Sequence, residues 1–221
     1  MRGAVSSICA KRVAVLLLLG SAASLAGNVD ISVVERSGRG VADVVVTVDS
    51  LQPHRTASAA STAVMDQRNR AFSPRVLVVA VGTQVEFPNN DTVSHQVYSF
   101  SDAKKFQLPL YKGERHSPVL FDRAGLVVLG CNIHDDMAGY IYVTDSQFFG
   151  ETDTDGVLHL HNVPPGDYRL TLWSPFIADP ASDLSRDVHL DSQGVSVQQI
   201  RLTRPLRALP EPRPKRGDWE Y

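Results

Sequence analysis

The chain has 221 residues, 43% of them hydrophobic, and its 22 basic and 24 acidic side chains give a formal net charge of −2. A near-neutral balance with no basic, aromatic-interleaved patch argues against nucleic acid as a partner, because phosphate binding relies on clustered Lys and Arg. The length fits one large or two small domains behind an N-terminal leader.

Residues 1–26 have the build of a secretory signal peptide. Arg2, Lys11 and Arg12 precede the apolar run Val13-Ala14-Val15-Leu16-Leu17-Leu18-Leu19, and Ser21-Ala22-Ala23-Ser24-Leu25-Ala26 ends it with small residues. Ser24 and Ala26 stand three and one places before a cut, so cleavage is expected after Ala26 and the mature chain is expected in the periplasm or secreted. The apolar run is short for a membrane span, and no later segment approaches the ~20 apolar residues that a span needs. Loss of three basic charges leaves 19 basic against 24 acidic groups, a formal net of −5. Cys9 leaves with the leader, and Cys131 then has no cysteine with which to form an internal disulfide, so it needs another reason to be there.

Beyond Ala26, helical periodicity is nearly absent and short strand-like runs are separated by turn signals, the pattern of an all-β sandwich. Residues 29–34 and 42–48 come first. In the second run, Ala42, Val44, Val46 and Val48 fall on one face and Asp43, Val45 and Thr47 on the other, so one dry and one wetter side are expected. Residues 52–63, rich in Ala, Ser and Thr and holding His54, read as unstructured. Strand-like runs follow at 75–81, 84–87, 95–100, 126–129 and 140–143, broken at Val81-Gly82-Thr83 and Pro88-Asn89-Asn90-Asp91. The last runs are 157–161, 168–173 and 195–202, with Asp155-Gly156 as a turn. His159 and His161 alternate with Leu158 and Leu160 and so share an outward face. Residues 204–221 form a Pro- and charge-rich tail with little to bury.

The densest chemistry is Cys131-Asn132-Ile133-His134-Asp135-Asp136-Met137, with His95 placed 36 residues before the cysteine. One thiolate, two imidazoles and one thioether make the donor set of a trigonal His₂Cys copper site with a weak axial Met, the arrangement used for electron transfer. Residues 125–130 read as a buried strand, so Cys131, His134 and Met137 come from one strand end and its loop, and His95 comes from a separate turn. A coordinating thiol is deprotonated by the metal itself. Each neutral imidazole needs a partner on its other ring nitrogen to fix its orientation. Met137 is soft and suits copper better than zinc, which prefers four strong ligands; zinc and a plainly buried thiol are the alternatives. His116, in a turn before Ser117-Pro118, and His189 are read as ordinary polar positions, and Asp135 and Asp136 as solvated charge at the loop rim. Gly-x-Ser-x-Gly, His-Glu-x-x-His and P-loop motifs are absent, and nothing matches the His-Cys-His or paired His-x-His motifs tied to a second cupredoxin domain, so no enzymatic activity is expected.

Residues 63–145 resemble the cupredoxins, the plastocyanin, azurin and amicyanin family of blue-copper proteins. The likeness is carried by Phe72-Ser73-Pro74 and by Leu77-Val78-Val79-Ala80-Val81-Gly82-Thr83-Gln84-Val85-Glu86-Phe87-Pro88-Asn89. Asp91, His95 and Cys131-x-x-His134-x-x-Met137 complete it, the last with the short spacing of amicyanin. The segment is also similar to periplasmic proteins described as methylamine-utilisation or plastocyanin-like. The resemblance implies a Greek-key β-sandwich holding one type 1 copper ion on His95, Cys131, His134 and Met137. It implies a non-enzymatic one-electron carrier, whose partner is a redox protein such as a c-type cytochrome or a periplasmic dehydrogenase. It also implies that His134 approaches the surface while His95 stays inside, with Ile133 and Met137 as apolar contact area. Many members have Asn directly after the first His; here Gln96 takes that place, which leaves the hydrogen bonding around the Cys sulfur open. Two other functions stay open: a copper carrier or storage protein, and a surface-binding module in which copper is structural.

The flanks, Val29-Asp30-Ile31-Ser32-Val33-Val34 with Gly40-Val41-Ala42-Asp43-Val44, and Thr152-Asp153-Thr154-Asp155-Gly156 with Val163-Pro164-Pro165-Gly166-Asp167-Tyr168, resemble transthyretin-like or carboxypeptidase-regulatory-like domains. The expected organisation is a signal peptide over 1–26, a transthyretin-like β domain in two segments at 27–50 and 147–203, a linker over 51–62, a cupredoxin domain over 63–146 and a disordered tail over 204–221. One extended sandwich with extra edge strands is the alternative.

Overall fold

The computed structural model describes residues 26–52, 61–113, 116–191 and 195–208; the signal segment before Ala26 with Cys9, His54 and the tail beyond 208 lie outside the described residues. The chain opens with β1 (Gly27–Val34) and β2 (Val45–Ser50). It continues with β3 (Thr62–Val64), β4 (Asp66–Arg68), β5 (Ala71–Ser73), β6 (Val76–Ala80) and β7 (Thr83–Glu86). Then come β8 (Tyr98–Ser101), β9 (Lys104–Gln107), β10 (Val119–Phe121), β11 (Gly125–Gly130) and β12 (Ala138–Thr144). β13 (Phe148–Glu151), β14 (Val157–Val163) and β15 (Gly166–Trp173) follow, and β16 (Ser185–Leu190) and β17 (Val195–Arg201) end it. One short 3-10 turn, Ala181–Leu184, is the sole helical element among the described residues, so the fold is all-β.

Strands β3 to β12 pair among themselves, as the sheets β6–β12–β11–β8–β9 and β10–β7–β3 and the hairpin β4–β5. β1, β2 and β13 to β17 pair with one another, as β14–β1–β17 and β13–β2–β15–β16. Each group has its own core. Val85, Phe121, Val127, Leu129, Ile141 and Val143 fill the first, together with Cys131 and Met137. Ile31, Val33, Val44, Val46, Leu170 and Leu172 fill the second. The strand period of two produces both, because alternate side chains face the same side: Ile141 and Val143 point inward from β12 while Tyr140 and Tyr142 point outward.

The outward faces are not all wet. Val45 and Thr47 are buried along with Val44, Val46 and Val48, which corrects the expectation of one wetter side for this strand. The cause lies in the register: Val45 stands opposite Glu151 and Trp173, so these three side chains share a face. Trp173 packs against Tyr140 and Tyr142, with ring centroids 5.9 and 5.5 Å away, and Glu151 accepts a hydrogen bond from the Val78 amide. Val45 and Val76 are fully buried but belong to neither core, so the contact between the two groups of sheets forms a third dry layer.

Three local expectations also change. Residues 62 and 63, read as the end of the unstructured stretch, belong instead to β3, which pairs in parallel with β7 and satisfies its edge backbone. The start of the tail is tied down: Asp179 accepts from the Thr203 and Arg204 amides, the Arg207 amide donates to Phe176 O, and Leu206 packs on the second core. The strand expected over 95–100 begins only at Tyr98, because His95 turns its backbone to Tyr111 instead of to the sheet. Among the described residues, no helix is long and apolar enough to cross a membrane.

Candidate metal centre

Two loops meet at one end of the first core. β11 and β12 pair down to Gly130 opposite Ala138, which leaves residues 131–137 as a tight loop closed by Met137 N to His134 O at 3.0 Å and Ala138 N to Asp136 O at 3.1 Å. Gly130 matters here: a Cβ at that position would lie 2.7 Å from the Tyr98 ring, so glycine lets that ring cover the strand delivering Cys131. The second loop follows β7. It is anchored by His95 N to Tyr111 O at 3.0 Å and Tyr111 N to His95 O at 2.9 Å, while Asn89 Nδ2 donates to Tyr111 O and Val93 O.

His95 Nδ1 and His134 Nδ1 are 3.2 Å apart, and Cys131 Sγ lies 3.9 and 3.8 Å from them. These donor atoms all fall within 4.8 Å of one another. Metal–ligand bonds of about 2.0–2.3 Å place neighbouring donors roughly 3–4 Å apart around one ion, so the three fit a single first-row metal. The soft thiolate with two imidazoles suits copper or zinc.

Burial is graded. His95 and Cys131 are sealed, at 0% and 3% exposure, whereas His134 is half-buried and Ile133 is exposed. Met137, at 2% exposure, packs in the same apolar cluster as Cys131 and offers no contact area, which corrects the expectation that it would flank a docking face. It lines, with Cys131, Tyr98, Phe100 and Val128, a shallow groove of about 550 Å³.

The electrostatics favour charged ligands. Burial pushes the Cys131 thiol up, but His95 and the Gln96 and Ile133 amides overrule it and bring it below its ordinary value. Burial pulls His95 down, and Cys131 and Asp91 together push it above its ordinary value. Asp91 Oδ2 lies 2.8 Å from His95 Nε2, and the side chains are 6% and 0% exposed. Burial would raise the Asp91 carboxyl, yet the Arg70 amide, His95 and the Thr92 amide hold it at about 2.

The structure therefore brings together His95, Cys131 and His134, and puts Met137 in the adjoining core. His116 stands apart from this group, its ring edge-on to Tyr111 at 4.4 Å. His159, His161 and His189 pair with Asp30, Asn28 and Asp167 at 2.6, 3.2 and 2.7 Å on the surface. Asp135 is exposed and Asp136 half-buried, outside the ligand group. Sequence reasoning missed one partner. Asp91 was part of the recognised pattern without a role, although a carboxylate four residues before a ligand His was a usable signal. The hydrogen bonding left open at Gln96 is now defined: its Oε1 accepts from Asn132 Nδ2 at 2.5 Å, joining the two loops.

No protein-family model and no curated protein matches the sequence. Solved structures are similar to part of it. A copper-containing nitrite reductase from Thermus scotoductus SA-01 is 30% identical over 37% of this chain and 22% of its own length, with a TM-score of 0.35. A purple cupredoxin from Nitrosopumilus maritimus is 26% identical over 37% of this chain and 96% of its own, with a TM-score of 0.32. A mutant of amicyanin in its reduced Cu(I) form is 25% identical over 45% of this chain and 98% of its own, with a TM-score of 0.35. The chain thus spans about a fifth of the nitrite reductase and nearly all of the two smaller proteins, and over less than half of its own length it is similar to cupredoxins.

Proposed function

We propose that the mature chain is a periplasmic or secreted type 1 copper protein that carries one electron at a time. The observation that carries this reading is the convergence of His95 Nδ1, His134 Nδ1 and Cys131 Sγ within 4.8 Å, beside a buried Met137. Bound copper supplies the one-electron Cu(II)/Cu(I) couple. The chain holds the donors still. Cys131 and His134 sit on a loop closed by paired strands, and His95 on one locked to Tyr111, so little has to move when the charge of the ion changes. Sealing Cys131 and His95 keeps water from the ion, and the half-buried ring of His134 is the short way in and out for an electron. The partner is a redox protein, such as a c-type cytochrome or a periplasmic dehydrogenase, meeting the surface around His134. In this reading the chain itself makes and breaks no bonds in a substrate.

The test is to add Cu(II) to the purified mature protein and record its visible spectrum and redox potential. An intense blue or green colour from thiolate-to-copper charge transfer is expected, and Cys131→Ala should abolish it. A colourless protein with full copper occupancy would falsify the type 1 assignment. Tight Cu(I) binding with ready exchange and no stable Cu(II) form would point to copper carriage or storage instead.

A further inference from the structure

We propose that Asp91 is a positioning residue of this metal centre: its buried carboxylate selects the nitrogen that His95 presents to the ion, and its charge favours the divalent state. The inference rests on the copper reading above.

An imidazole can turn either nitrogen toward a metal, and the choice is set by the hydrogen bond made by the other one. His95 Nε2 lies 2.8 Å from Asp91 Oδ2, and His95 Nδ1 faces Cys131 and His134 at 3.9 and 3.2 Å. With the proton on Nε2 and donated to Asp91, the Nδ1 lone pair is left for the ion. With the proton on Nδ1 instead, an N–H would point at the thiolate and the carboxylate would face a nitrogen lone pair.

The carboxylate is itself held by donors. The Arg70 amide reaches Oδ2 at 2.6 Å, and the Thr92 amide reaches Oδ1 at 2.6 Å. Two main-chain amides favour the ionised acid, and an ionised Oδ2 beside Nε2 calls for the proton to sit on that nitrogen. The Arg70 amide is delivered by an unusual turn. Asn69 and Arg70, which join β4 to β5, have φ of 52° and 60°, a left-handed pair that a two-residue hairpin needs and that a residue such as Arg seldom adopts. The β4–β5 hairpin thereby clamps Asp91 through its main chain, 21 residues away in sequence.

Charge balance gives the direction of the effect. A divalent ion is neutralised by the Cys131 thiolate and the Asp91 carboxylate together, whereas a monovalent ion leaves one negative charge in excess. Asp91 is nearly sealed from solvent, so water screens this interaction poorly. Removing its charge should favour the reduced state.

Two measurements test this. The first is ¹⁵N NMR of the imidazoles in the wild-type metal-free protein at alkaline pH. His95 should be the Nε2–H tautomer; an Nδ1–H tautomer would overturn the proposal whether or not any variant folds. The second is a redox titration of copper-loaded Asp91→Asn beside the wild type. At the wild-type midpoint, the ratio of Cu(I) to Cu(II) in the variant should rise by on the order of tenfold. A blue variant with an unchanged midpoint would overturn the charge effect, since a merely structural role would lower stability without moving the midpoint. If the wild type takes up copper without colour, the type 1 reading fails, and the tautomer result still decides the positioning role.

Discussion

Asn132 donates its side-chain amide to Gln96 Oε1 at 2.5 Å, and this bond ties the loop bearing Cys131 and His134 to the loop bearing His95. The two residues flank ligands that are 36 positions apart, and the Gln96 amide also supports the Cys131 sulfur. Gln96→Ala should cost about 1 kcal/mol of stability, the usual net worth of one hydrogen bond, and should speed the loss of copper to a chelator. Denaturant midpoints and chelation rates check both, and an unchanged chelation rate would show that the loops hold together without this bond.

Met137 is buried against Cys131, so its replacement must keep its volume to be informative. Met137→Leu is such a change and should cost less than about 1.5 kcal/mol. As the weak axial ligand, Met137 tunes the potential more than it holds the ion. The variant is therefore expected to stay coloured and to show a raised potential. Complete loss of copper would mean that the thioether is required for binding.

Asp135 is exposed and Asp136 half-buried beside His134, and rim charges act mainly on association rates. The double change Asp135→Asn with Asp136→Asn should slow electron exchange with a partner bearing a basic rim at low salt, and should leave the visible spectrum intact. The difference should fade as salt is added. An unchanged rate at low ionic strength would move the docking face elsewhere.

Glu151 lies in the layer between the two groups of sheets. Burial pushes its carboxyl from 4.5 up to about 7; the Val78 amide pulls the other way, and Asp43 adds to the rise. Between those values the folded chain keeps a proton that the unfolded chain has lost, so this group's contribution to stability is whole below about 4.5 and is lost as pH rises to about 7. The full effect is on the order of 3 kcal/mol. Glu151→Gln retains an acceptor for the Val78 amide and removes the proton, so its urea midpoint should vary less than the wild type's between acid and neutral pH. Parallel curves for the two proteins would assign the pH dependence to other groups.

Much of the architecture is written locally. Alternation marks β1 and β15, because the period of two acts within the strand and needs no knowledge of its neighbours. Cys131, His134 and His95 were legible for a different reason. A lone thiol and two imidazoles declare a coordination chemistry by type, and a ligand set implies convergence whatever the spacing. Contacts between ordinary residues carry no such mark. That Val45 and Thr47 are dry, that Leu206 is held on the core, that Gln96 meets Asn132 and that Arg70 turns its amide to Asp91 follow from surfaces brought together across many residues. Donor types and strand periods were therefore determined by the sequence alone, and the groups that orient His95 and seal the layer between the sheets were decided only by tertiary packing, since hydrogen bonds and burial depend on which segments become neighbours.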